Sequence, residues 1–92
     1  MPEYIVYLLQ SKKDGMYYIG QTANLEQRVK AHNSGEVKST RHRRPLVLLG
    51  CQSFPNREEA RYFEFQVKRH SDKKARFIAQ FARLSGPEAR TP

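Results

Sequence analysis

Two apolar runs separated by a short polar turn constrain this chain more than any other feature. Tyr4 to Leu9 and Met16 to Gln21 each read as a β-strand. Between them, Ser11-Lys12-Lys13-Asp14-Gly15 ends in the Asp-Gly pair that favours a hairpin. The first strand carries Ile5-Val6-Tyr7 and the second Tyr18-Ile19-Gly20, so antiparallel pairing brings two tyrosines close together on neighbouring strands. Gly20 stands out because a glycine inside a strand often marks the close approach of another group. Tyrosine is also a favoured strand residue, and by itself the pattern describes two rings packing on a sheet.

The next segments read as capped helices. Asn24 followed by Gln27 forms a capping box, and the helix it opens runs to about Asn33, with Gly35 as its stop. At helical spacing Leu25, Arg28, Val29 and His32 share one side. Arg28 and His32 border the apolar stripe, where they are costly unless an anion sits beside them or the arginine head stays in water. Asn56 with Glu59 opens a second helix to about His70, whose stripe is Ala60, Phe63 and Val67. Glu64 falls at the edge of that stripe and calls for a cation, either a metal ion or Arg28.

The run Leu46 to Cys51 reads as a strand covered on both faces or central in a sheet, with Cys51 a buried small hydrophobe. Lys38 to Pro45, with nothing apolar to bury, reads as an exposed functional loop. Ser71 can cap a last helix from about Asp72 to Leu84, with Ala75, Ile78, Ala79 and Ala82 on one face, and Ser85-Gly86-Pro87 stops it. The order is therefore β-β-α-β-α-α, one small α/β (α+β) domain over residues 1–85 with a polar tail at 86–92.

The charge balance points to a polyanionic partner. The chain has 17 Lys and Arg against 9 Asp and Glu, a formal net charge of +8 over 92 residues. The cations cluster at Arg28, Lys30, Lys38, Arg41, Arg43 and Arg44, and again at Lys68, Arg69, Lys73, Lys74 and Arg76. Such clusters suit a nucleic-acid backbone. The apolar run at the N-terminus is too short for a signal or a membrane span, and no basic amphipathic helix has a large aromatic face, so a membrane partner is not expected. A single cysteine gives no disulfide framework, which fits a reducing, cytoplasmic setting.

Taken in order, Ile5-Val6-Tyr7, Tyr18-Ile19-Gly20, Arg28-x-x-x-His32 and Glu64 resemble the motifs of the GIY-YIG nuclease superfamily. Tyr17-Tyr18-Ile19-Gly20-Gln21-Thr22 followed by Asn24-Leu25-x-x-Arg28-x-x-x-His32-Asn33-Ser34-Gly35 is most similar to its small single-domain bacterial branch. The resemblance runs from about residue 3 to residue 80 and implies a three-stranded, mainly antiparallel sheet flanked by helices. It also implies divalent-metal-dependent endonuclease cleavage of DNA in repair or processing, with RNA not excluded; a domain this small has little surface for reading sequence, so the expected action is structure-directed or weakly sequence-specific.

On that reading Tyr7, Tyr18, Arg28, His32 and Glu64 are the catalytic residues, and Glu64 holds one Mg²⁺ or Mn²⁺. Lys30, Lys38, Arg41, Arg43, Arg44, Lys68 and Arg69 contact the nucleic acid. A single carboxylate suffices for an ion that keeps most of its waters, and a guanidinium fork suits the phosphate. Tyr7 is the candidate proton acceptor, with Tyr18 positioning it. Since tyrosine ionises near pH ~10 in water, nearby cations must favour its charged form. Two departures stand out: Ile5 replaces the glycine that opens the first motif, and Asp72-Lys73-Lys74-Ala75-Arg76 lacks the Asn of larger members. The second favours an alternative, a weak or inactive nucleic-acid-binding module with the same fold. A homodimer or a targeting partner protein is compatible with either.

Overall fold

The computed structural model describes residues 3–85, with side chains through residue 81. The tail at 86–92, the helix stop at Gly86-Pro87 and the Ala82 side chain lie outside the described residues. The elements are β1 (Tyr4–Ser11), β2 (Tyr17–Thr22), α1 (Leu25–Ser34), a 3₁₀ turn (Arg41–Arg43), β3 (Leu46–Phe54), α2 (Arg57–Arg69) and α3 (Ser71–Ser85). They form the α+β order β-β-α-β-α-α read from the sequence, around one antiparallel sheet of order β2-β1-β3.

Local chemistry explains the elements that position the site. The hairpin loop is held by Ser11 Oγ, which accepts from the Lys13 and Asp14 amides, and by Asp14 Oδ1, which accepts from Met16 N. Gly15, at φ 78°, takes the left-handed turn that other residues resist. Asn24 caps α1 by accepting from Gln27 N, and Gly35 ends it at φ 89°. Asn56 caps α2 by accepting from Glu59 N, and its amide donates back to the Glu59 carboxylate.

Both sheet faces are covered. One carries Tyr7, Leu9 and Leu46, with Tyr18 and the α1 residues Leu25 and Val29 packed against them. The other carries Val6, Leu8 and Ile19 beneath Ala60 and Val67 of α2 and Phe77 of α3. Burying each of the larger side chains contributes about 1.5–3 kcal/mol. Phe54, Phe63, Phe77 and Phe81 add a chain of ring contacts at 5.0, 5.4 and 5.2 Å. Asn33 fastens α1 to the sheet: its amide donates to Leu46 O at 2.8 Å, and its oxygen accepts from Leu46 N at 2.7 Å.

Three expectations are corrected. The run beginning at Leu46 forms an edge strand, because β1 pairs on both sides and takes the centre. Val47 and Leu48 are therefore exposed. Cys51 is exposed too: it stands opposite Tyr7, whose ring leans the other way, over β2, and leaves it uncovered. The segment Lys38 to Pro45 is not wholly exposed, since Thr40 is buried at 1%. Among the described residues no helix is long and apolar enough to cross a membrane.

Candidate active site

The site begins with the register of the hairpin. Tyr7 lies opposite Gly20, while Tyr18 pairs with Leu9 and is therefore the diagonal neighbour of Tyr7 on the same face. The Tyr7 ring crosses the edge strand β2 directly over Gly20. A methyl group at Gly20 would stand 2.7 Å from Tyr7 Cζ, so only a bare Cα admits the ring. Gly20 thereby brings the Tyr7 hydroxyl to the rim of the sheet.

The hydroxyl is held by two residues of α1, one turn apart. Arg28 Nε donates to it at 3.3 Å, and His32 Nε2 lies 3.0 Å from it. With its oxygen accepting from Arg28, Tyr7 has its own proton to give to Nε2. In that direction the imidazole proton lies on Nδ1 and is donated to Thr40 Oγ1, 2.7 Å away. Tyr7 and His32 are buried, at 3% and 4%, and their rings meet edge-on. Burial, and secondarily the Arg28 charge, push the His32 pKa below 6.5, which keeps the ring neutral near pH 7. Thr40 was not legible as a partner: in a run of cations and hydroxyls it reads as solvent-facing.

The second wall comes from α2 and α3. A cleft of about 560 Å³ is lined by Tyr7, Tyr18, Gly20, Arg28, His32 and Thr40 from one side and by Glu64, Lys68 and Lys74 from the other. Glu64, its side chain 17% exposed, does not meet Arg28; it pairs with Lys68 Nζ at 2.8 Å, one helical turn on. That i,i+4 spacing was a readable signal. Among the described residues no group of three or more His, Cys, Asp or Glu could hold a metal ion. The one carboxylate in the cleft, Glu64, meets the minimum for a hard cation of the Mg²⁺ type, which takes only one or two carboxylates and keeps its waters. Glu64 would hold it, with Lys68 as its existing counter-charge.

The five candidate catalytic residues thus line one cleft. The basic residues divide. Lys68 lines the cleft, and Arg69 lies in an adjoining depression with Arg61, Glu64 and Phe65. Lys30 sits on the outer side of α1 beside Asn24 and Gln27. Lys38, Arg41, Arg43 and Arg44 are not among the cleft-lining residues. Arg44 Nε donates to Arg41 O, and Arg43 pairs with Asp14 of the hairpin turn. That pairing, and after it the Tyr18 phenol, raise the Arg43 pKa. Lys74 occupies the segment that lacks the Asn, and it places a cation in the cleft.

Comparison with known proteins gives the family and the fold. Residues 3–76 match the GIY-YIG catalytic domain. The chain is 43% identical over 70 residues to UPF0213 protein BH0048 of Halalkalibacterium halodurans, covering 75% of this chain and 73% of that one. It is 41% identical over 78 residues to a UPF0213 protein of Nitratidesulfovibrio vulgaris, covering 83% and 70%. The solution NMR structure of UPF0213 protein BH0048 from Bacillus halodurans superposes with a TM-score of 0.53 at 38% identity, covering 85% of this chain and 83% of that one.

Proposed function

We propose that this chain, which belongs to the GIY-YIG catalytic domain family, is a divalent-metal-dependent endonuclease. It hydrolyses phosphodiester bonds in DNA during repair or processing, reading structure more than sequence. The observation that carries this reading is the convergence of the Tyr7–His32–Arg28 network and Glu64 on one cleft.

In this mechanism water attacks phosphorus and gives its proton to the Tyr7 oxygen as the Tyr7 proton passes to His32 Nε2. His32 can accept because its ring is neutral near pH 7, with Nε2 free to take the proton when Nδ1 donates to Thr40. Arg28 spends only Nε on Tyr7, which leaves its terminal nitrogens to grip the phosphate and offset the developing charge. Tyr18, half-buried beside Tyr7, orients the water. The P–O bond to the leaving oxygen breaks, and that oxygen takes a proton from solvent. Glu64 would hold the cation, which would supply positive charge beside the phosphoryl oxygens and favour ionisation of water.

The test is cleavage of nicked, branched and single-stranded DNA with Mg²⁺ or Mn²⁺. Tyr7→Phe should lose about two to four orders of magnitude in rate, the usual worth of a general base. Glu64→Gln should lose metal-dependent cleavage while its DNA affinity holds or rises. Wild-type rates in both variants would refute these assignments. The second reading, a binding module that cuts weakly, is favoured by the Glu64–Lys68 pair and by Lys74, both of which oppose metal entry. It predicts DNA binding without metal-dependent cleavage by the wild type.

A further inference from the structure

Beyond the cleft, the outer face of α2 carries a feature the chemistry above does not use. Phe65 is 53% exposed, on a helix whose other exposed positions are mostly charged. It stands one turn from Arg61 and one turn from Arg69, and the Arg69 guanidinium lies over its ring at 5.4 Å from the centroid. These three, with Gln21, Glu64 and Lys68, line a depression of about 460 Å³. Gln21, Glu64 and Lys68 also line the catalytic cleft, so the two are continuous. Farther along, Arg57 and Arg61 line a third depression, where Arg57 lies over the Tyr4 ring at 5.4 Å.

From this juxtaposition we propose that Phe65, flanked by Arg61 and Arg69, is a stacking platform for one unpaired nucleotide of the DNA adjoining the scissile phosphate. An exposed ring beside guanidinium groups matches both parts of a nucleotide: the ring–guanidinium pair offers a flat π-surface to the base, and the arginines offer charge to its phosphates. A base inside a duplex has both faces covered and cannot take that position, so the platform selects a flap, gap or frayed end. The cations Arg57, Arg61 and Arg69 run along about 18 Å of helix, long enough to follow a strand leaving the cleft. The proposal rests on the nuclease reading and narrows its substrate to DNA with an unpaired base beside the cut.

The test uses the intact chain without metal, so that binding is read apart from cleavage. The probes are a duplex with a single-stranded flap carrying 2-aminopurine next to the junction, and the same duplex blunt-ended. The wild type should prefer the flap and change the fluorescence of the 2-aminopurine on binding. Phe65→Ala should bind the flap about 5- to 150-fold more weakly, the range for a lost base–aromatic stack, and should bind the blunt duplex as the wild type does. Phe65→Tyr should restore flap binding, since stacking needs the ring alone. Unchanged flap affinity in Phe65→Ala, or an equal loss on both probes, would overturn the platform while leaving the nuclease reading intact. Failure of the wild type to bind either probe would overturn the nuclease reading, and the platform with it.

Discussion

Replacing Gly20 by alanine isolates the packing that delivers the Tyr7 hydroxyl. Among the described residues the glycines with positive φ are Gly15 and Gly35, so the Gly20 backbone is open to any residue. On that ground alone the change should stabilise by about 0.4–1 kcal/mol, through a less flexible unfolded chain. The new methyl, however, would lie 2.7 Å from Tyr7 Cζ and 3.3 Å from Cε1, and closer still to the hydroxyl oxygen. Carbon atoms rest at about 3.5–4.0 Å, so the ring tip must retreat by about 1 Å. Tyr7 is 3% exposed and has little room to give, so overpacking should cost about 1–3 kcal/mol. The bonds to His32 and Arg28, at 3.0 and 3.3 Å, break over such a shift, which adds about 1 kcal/mol for each.

The clash therefore outweighs the entropy gain, for a net loss of about 2–4 kcal/mol, and at about 4–8 °C per kcal/mol the melting temperature should fall by about 8 °C or more. A reacting group misplaced by about 1 Å also costs about a hundredfold in rate. Thermal unfolding and cleavage should be measured on Gly20→Ala, Tyr7→Phe and the double variant. Removing the Tyr7 oxygen removes the tightest contact, so Gly20→Ala should cost less on the Tyr7→Phe background. A Gly20→Ala protein with wild-type melting and wild-type cleavage would refute the argument.

His32 predicts a pH dependence of stability. Its folded pKa is depressed below 6.5, so the neutral ring's contribution is complete above pH 6.5 and is lost as pH falls below that value towards the folded pKa. Melting temperatures should therefore drop from pH 7.5 to pH 5.5 in the wild type, and His32→Gln should flatten that slope; parallel slopes would count against the assignment. DNA affinity should fall steeply with salt, with a log–log slope near −4 to −7 for roughly four to eight phosphates, and a slope near zero would remove nucleic acid from the account.

What the sequence made legible was local. The hairpin turn, the caps at Asn24 and Asn56 and the stop at Gly35 are set by neighbours within a few positions, and each stands where it was read. The five candidate catalytic residues were legible as types at helical and strand spacings, and they line one cleft, whereas most of the basic residues read as nucleic-acid contacts lie outside it. What failed depended on distant partners. Whether an apolar run is central or at an edge depends on which strand pairs twice, and nothing in Leu46 to Cys51 says that β1 does. Thr40 serves His32 because the loop folds over α1. Lys68 in place of Arg28 at Glu64 follows from geometry: Arg28 is committed to Tyr7, whereas Lys68 is one turn from the carboxylate. The same geometry changes the meaning of the missing Asn. Lys74 puts a third positive charge, after Arg28 and Lys68, in the cleft that holds Glu64, where it repels a metal ion and attracts a phosphate. With Arg28, Lys68 and Lys74 against the one carboxylate of Glu64, the charge of the cleft lining favours an anion over a free cation.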